Sequence, residues 1–215
     1  MKFTKSITAF AFLLFSLAFS SFGQTETVVS RTWEVQKYDI TATLPSAETD
    51  RFLTVKAILT LKNVSSAAAS RLTLRISDKA EIADVKVNNS AATFTKGEEK
   101  ISATRNLQRA AMSVPTVAPN QTVSVEVNYK LKVDENSGLN AISPVGAQFL
   151  PLSFWYPTPN SWFFPRGADF AGFKLQVNSS NGLTVLSSGT GASNSFENKS
   201  FGQPFFAAGN WDKLI

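Results

Sequence analysis

Residues 53–62 read LTVKAILTLK, and their pattern decides the class of the fold. Leu53, Val55, Ala57, Leu59 and Leu61 share one parity, while Thr54, Lys56, Thr60 and Lys62 occupy the other. Successive side chains of a strand point to opposite faces, so this is a strand with one face on a core and one towards water. Ile58 interrupts the polar parity, and the outer face is expected to be partly covered there.

The same period of two recurs on both sides. Upstream it runs through Trp33, Val35, Tyr38, Ile40, Ala42 and Leu44. Downstream it reappears at Leu72, Leu74 and Ile76, over Ile82–Val87, and from Val123 through Tyr129 to Val133. Phe173, Leu175 and Val177, then Leu183 and Val185, close the series. Turn chemistry separates the runs: Pro45–Asp50, Asn88-Asn89-Ser90, a charged hairpin tip at Lys96–Lys100, and a loop bounded by Pro115 and Pro119-Asn120. Asp134–Gly146 and the small-residue segment Ser187–Ser195 read as loops, and Asn181-Gly182 as a tight turn. No sustained 3.6-residue period follows residue 23. Roughly ten short strands with turns every 8 to 12 residues predict an all-β fold, a sandwich or open barrel formed by a single domain, and the antiparallel sandwich is the reading adopted.

The first residues belong to a different grammar. Lys2 and Lys5 form a basic start, Ile7–Phe19 is apolar, and Ser21-Phe22-Gly23 precedes a cut at Gln24. These are the parts of an export signal, and the apolar run is short for a membrane span. Residues 1–23 are read as a signal peptide and 24–215 as the mature domain, with a retained N-terminal anchor helix as the alternative. The expected location is periplasmic or extracellular. Loss of Lys2 and Lys5 lowers the formal charge from +5 to +3. The remaining basic residues are scattered among the strands, which excludes a nucleic-acid footprint. No stable membrane span is expected in the mature chain.

The 215 residues contain no histidine and no cysteine. Histidine-activated nucleophiles and the His-Glu-x-x-His zinc helix are therefore excluded, and any metal site would have to be all-oxygen. Asp134-Glu135-Asn136-Ser137-Gly138 is the best candidate for calcium, but it lacks the spacing of an EF-hand loop and a distal bidentate Glu, and a solvated loop is the other reading. Glu98-Glu99 and Asp134-Glu135 sit in apparent turns and do not form a glycosidase pair. No catalytic residue, metal ligand or cofactor is assigned.

The segment 147–166, AQFLPLSFWYPTPNSWFFPR, holds seven aromatic residues and four of the nine prolines. Such a segment is not left bare in water. It packs in its own core, against another domain, or against a ligand.

Several stretches, taken in order, resemble one known pattern: Tyr38-Asp-Ile40, Leu59-Thr-Leu-Lys-Asn63, Leu72-Thr-Leu74, Val85-Lys-Val-Asn-Asn89, Pro119–Tyr129, Phe154-Trp-Tyr-Pro157, Gly182–Gly189 and Phe206-Ala-Ala-Gly209. Over residues 33–212 they are similar to the N-terminal domain of the aminopeptidase N family of zinc metallopeptidases. The resemblance implies a saddle-shaped β-sandwich that packs on a catalytic domain, in cis or in trans, and reaches peptides through it. Zinc is expected only in that catalytic domain, since the family's Gly-x-Met-Glu-Asn strand and zinc helix do not occur here. It also implies that Gln148, upstream of the aromatic-Pro turn, faces the substrate side; a glutamine bonding its own loop is the other reading. Trp155, Tyr156, Trp162 and Phe163 are the candidates for an interdomain face. The alternative function is a stand-alone secreted carbohydrate- or protein-binding sandwich.

Overall fold

The alternation at 53–62 is realised as a strand from Phe52 to Asn63 in which Leu53, Val55, Ala57, Leu59 and Leu61 are all buried. Each such side chain contributes about 1.5–3 kcal/mol relative to an exposed position, alanine less. The computed structural model describes residues 31–47, 49–160, 169–179 and 182–211. Residues 1–23, expected from the sequence to be a signal peptide, lie outside the described residues.

Among the described residues the chain forms fifteen strands and no α-helix. In order these are β1 (Trp33–Thr43), β2 (Phe52–Asn63), β3 (Ala69–Ser77), β4 (Ala80–Val87), β5 (Ser90–Ala92), β6 (Phe94–Lys100), β7 (Asn106–Val117) and β8 (Thr122–Lys132). Then follow β9 (Asn140–Ser143), β10 (Gly146–Phe149), a 3-10 turn at Pro151–Ser153, β11 (Ala171–Asn178), β12 (Thr184–Leu186), β13 (Thr190–Ala192), β14 (Ser195–Gly202) and β15 (Phe206–Gly209).

The strands make an eight-stranded sheet in the order β13-β14-β11-β1-β2-β8-β4-β5, a four-stranded sheet β12-β15-β10-β9, and a three-stranded sheet β3-β7-β6. All three contribute to one continuous hydrophobic core, as a sandwich requires. Its largest sealed side chains include Trp155, Tyr38, Tyr129, Tyr156, Phe149, Phe173 and Phe206. The opposite face of the large sheet is polar. Lys86, Glu126, Ile58, Asp39, Lys174 and Glu197 are successive cross-strand neighbours on it, and Ile58 is half-buried among them. Lys86 and Lys56 approach Glu126 at 2.9 and 3.1 Å. Hydrogen bonds from Lys86 and Asn128, reinforced by Lys56, hold the Glu126 carboxyl down to about 2.

The structure departs from the sequence reading in local pairings. One pair, β1 with β11, is parallel, matching Tyr38 to Phe173 and Ile40 to Leu175, so the large sheet is mixed. Alternation reports a strand's faces and carries no information about its direction. The predicted tip at Lys96–Lys100 lies inside β6, and the turn falls instead at Ile101–Arg105. Charged residues are tolerated on a strand where one edge is open to water. Pro115 lies within β7, where the register shifts against β3 between Ala69 and Arg71, and the irregularity accommodates the missing N–H. The loops read at 134–146 and 187–195 contain β9 and the β13–β14 hairpin. The turns at Asn88-Asn89 and Asn120 carry the positive φ values (48°, 67° and 64°) that asparagine tolerates.

Candidate functional site

The aromatic segment begins as β10 and leaves it through the Pro151–Ser153 turn, whose Ser153 hydroxyl donates to the Leu150 carbonyl at 2.7 Å. Proline at the first position of that turn sacrifices no hydrogen bond. Phe154 then takes a left-handed conformation, φ 54° and ψ 39°, which is costly for a residue with a bulky side chain. The turn reverses the chain and sends the next two rings inward. The Arg105 guanidinium sits 5.2 Å from the centre of the Phe154 ring and donates to the Leu152 carbonyl.

Trp155 and Tyr156 are therefore not on an interdomain face, as the sequence led one to expect. They are 0% and 1% exposed, inside the chain's own core. Trp155 packs edge-on to Phe206 and Tyr156 at 5.5 and 5.3 Å, and its indole N–H donates to the Pro204 carbonyl at 3.2 Å. The Tyr129 hydroxyl donates to the Trp155 carbonyl at 2.6 Å. Satisfying these polar atoms inside the core removes the reason to place the rings at a wet boundary. Trp162 and Phe163, the other two candidates, lie outside the described residues.

Beyond Tyr156 the segment is stitched to β3. The backbones of Arg75 and Thr158 bond reciprocally at 2.8 and 2.9 Å, and the Arg75 guanidinium donates to the Pro159 carbonyl at 2.6 Å and to Glu99 at 2.8 Å. The Asn160 amide, 5% exposed, donates to the Asp169 carboxylate. Tyr38 donates its hydroxyl proton to the Asp169 carbonyl at 3.1 Å. Burial pushes the Asp169 carboxyl up to about 6, with the Asn160 amide, Arg75 and Arg31 pulling the other way.

The folded state thus binds a proton here more tightly than the unfolded chain, so the ionised form is penalised above about pH 6. As pH falls from about 6 towards the ordinary aspartate value, stability is expected to rise by roughly 2–3 kcal/mol from this group. Glu126 acts in a lower window: its depressed value stabilises above the ordinary glutamate range, and that contribution is lost as pH falls towards about 2. Urea denaturation at pH 7, 5.5 and 4.5 reads the first window. Asp169→Asn should flatten the pH dependence, and a wild-type curve that falls over that interval overturns the assignment.

Gln148 lies on β10, and its amide donates to the Gly138 and Ser137 carbonyls at 2.9 and 3.3 Å. It ties the strand to the loop before β9. In the candidate calcium loop the Asp134 and Asn136 oxygens are similarly engaged. Asp134 pairs with Lys79 and Lys132 at 3.1 and 2.9 Å, and Asn136 accepts from Arg51 at 2.7 Å. Among the described residues no cluster of three potential metal ligands occurs.

The surface that sequence reading missed is the outward face of the four-stranded sheet. Ala147, Ile142, Ala208 and Val185 are register partners on the core side. Leu186, Ala207, Gln148 and Ala141 therefore form a row on the other side, beside Thr184, Gly209, Gly146 and Ser143. No Asp, Glu, Lys or Arg occurs in any of the four strands. Leu186 is 51% exposed and Trp211 48%. The Trp211 ring lies over Gly209, where a Cβ would come within 3.1 Å of it, and its indole donates to the Thr184 carbonyl at 3.1 Å. Val145, in the turn between β9 and β10, is exposed as well. The missing charge was visible in the sequence, but the assembly of four distant short strands into one face was not.

No protein-family model matches the sequence, and no curated protein matches it. Solved structures match the fold. A two-domain M1 zinc metallopeptidase, solved as a mutant bound to L-arginine, has a TM-score of 0.59 at 15% identity, covering 84% of this chain and 43% of its own. An M1 zinc metallopeptidase mutant from Deinococcus radiodurans, bound to a Tyr-Ser-Ala substrate, has a TM-score of 0.58 at 17% identity and covers 83% and 43%. Native leukotriene A4 hydrolase from Saccharomyces cerevisiae has a TM-score of 0.61 at 14% identity and covers 83% and 29%. The chain spans less than half the length of these structures. The likeness is one of fold, and it agrees with the resemblance carried by the sequence motifs.

Proposed function

We propose that the chain is the non-catalytic N-terminal β-domain of an exported zinc aminopeptidase. It packs on the catalytic domain, walls one side of the substrate cleft and limits entry to short peptides, while zinc and the acid–base chemistry reside in that other domain. The observation that carries this reading is the fold likeness: most of the chain superposes on less than half of a two-domain zinc metallopeptidase. A chain without histidine cannot build the His-Glu-x-x-His helix, which fits a supporting role. Trp155 and Tyr156, sealed in the core, are not available to stack on a sugar, which weakens the carbohydrate-binding alternative.

The test is an immunoprecipitation from the source cells with an antibody raised against residues 31–211. The captured material is expected to contain a zinc-peptidase domain, on the same polypeptide or a bound one, and to release N-terminal amino acids from peptides. The purified 215-residue chain is expected to hydrolyse none, with or without added zinc. A captured species of the chain's own mass, without zinc or peptidase activity, overturns the reading. So does zinc-dependent hydrolysis by the isolated chain.

A further inference from the structure

We infer that the depression beside the β13–β14 hairpin, on the outer face of the large sheet, binds a free α-amino acid as its zwitterion, with Lys174 taking the carboxylate and Glu197 the ammonium. Such a site is independent of any contact with a catalytic domain. The depression has a volume of about 350 Å³, and Lys174, Thr190, Ala192, Ser195 and Glu197 are among the residues around it. That volume is at the lower end for small-molecule sites and is enough for one amino acid. Thr190, Ala192 and Ser195 share the parity of Lys174 and Glu197, so the five stand on one face of three adjacent strands.

The charges select the ligand. Lys174 and Glu197 are register partners on β11 and β14, and Asp39 of β1 flanks Lys174 on its other side. Elsewhere on this face opposite charges close on one another, as Lys86 and Lys56 do on Glu126 at 2.9 and 3.1 Å. Among the described residues the Lys174 ammonium and the Glu197 carboxylate enter no ion pair, although they are neighbours and Glu197 is half-buried. A ligand carrying both complementary charges gives each of them a charge-assisted hydrogen bond. A lone anion would meet Glu197 and Asp39 as like charges, and a lone cation would meet Lys174. Cross-strand neighbours stand about 5 Å apart at Cβ, which suits an ammonium and a carboxylate borne on one carbon.

The wall of the site is fixed in advance. Ser193 and Asn194, at the tip of the hairpin, have φ of 53° and 65°, the paired left-handed residues of a tight two-residue turn. The Asn194 carbonyl accepts from the Val177 N–H at 2.9 Å, and its side-chain oxygen accepts from the Val185 N–H at 3.3 Å. Gly189 takes φ 101°, and a Cβ at Gly191 would overlap the Ser195 carbonyl, so the hairpin closes on glycine at both positions. A wall held in this way loses little freedom when a ligand arrives.

Saturation-transfer NMR on the purified 215-residue chain, with L-leucine as the probe, tests the site. Binding is expected to saturate with a Kd of about 1 mM or below. N-acetyl-L-leucine lacks the ammonium and L-leucinamide lacks the carboxylate. Each should bind about tenfold more weakly or worse, the factor for one lost hydrogen bond to a charged group. Two variants assign the ends. Glu197→Gln should bind L-leucine and N-acetyl-L-leucine alike, and Lys174→Met should bind L-leucine and L-leucinamide alike, once thermal unfolding shows that both fold. If either variant fails to fold, the blocked ligands on the native chain decide alone.

No saturable binding of L-leucine up to about 10 mM overturns the inference, and so does equal binding of the blocked forms by the native chain. Binding undiminished in both variants places the amino acid elsewhere and overturns the site. Tighter saturation by D-galactose than by L-leucine overturns the ligand class. Each of these outcomes leaves the proposed function standing, since that reading is decided by the captured peptidase domain and not by this face.

Discussion

Trp155→Ala is expected to lower the unfolding free energy by about 3–5 kcal/mol, the range for emptying a tryptophan site in a closed core. The ring is 0% exposed and touches Phe149, Tyr156 and Phe206, so its removal opens a cavity lined by rigid aromatic walls that cannot collapse. The Pro204 carbonyl also loses its donor. Against a typical total of about 5–15 kcal/mol, this brings the domain close to its threshold. Trp155→Phe keeps most of the volume and gives up the hydrogen bond, so its cost should be nearer 1–2 kcal/mol. Urea titration monitored by tyrosine fluorescence and far-UV dichroism measures both. A loss below about 1 kcal/mol for the alanine variant would return Trp155 to the surface role that its sequence context suggested.

Asn63→Ala comes next, with an expected cost of about 3 kcal/mol. Asn63 is 0% exposed and spends its whole amide on structure. Its Nδ2 donates to the Ala67 and Val117 carbonyls at 2.8 and 2.9 Å, and its Oδ1 accepts from the Ser65 N–H and hydroxyl at 3.0 and 2.7 Å. One side chain thus joins the end of β2, the connection to β3 and the end of β7. Asn63→Asp is the sharper variant: it replaces the two donors by a carboxylate facing two carbonyls in a buried site, and should destabilise more than alanine. The same burial places this Asn-Val-Ser sequon out of reach of glycosylation in the folded chain. Thermal unfolding of the two variants side by side checks the order, and equal or negligible losses contradict the network.

The two residues show what can be read without coordinates. The inward parity of β2 was legible because Leu53 to Leu61 must alternate for any strand with one wet face, whatever lies across from it. The structural role of Asn63, at the end of that run, was not legible, since nothing in the neighbouring residues says that the Val117 carbonyl, far along the chain, needs a donor. Trp155 was misplaced for a related reason. Prolines and rings crowded together suit an interdomain face as well as a core, but around the left-handed Phe154 the chain lets Tyr129 and Pro204 satisfy the buried polar atoms. Gln148 was singled out from the sequence, and the structure shows its amide holding the loop at Ser137–Gly138.

The amino-acid sequence by itself determined that this is a sheet protein with one wet and one dry side to most of its strands, and that its own residues hold no histidine- or thiolate-based chemistry. Those properties follow from local parity and residue inventory, which need no knowledge of neighbours in space. Only the tertiary structure decided that β1 and β11 run parallel, that Trp155 and Tyr156 are sealed, and that β9, β10, β12 and β15 combine into a face without charge. Such features depend on which distant segments meet, and the free energy that selects those meetings is shared among long-range contacts that no short window of sequence contains.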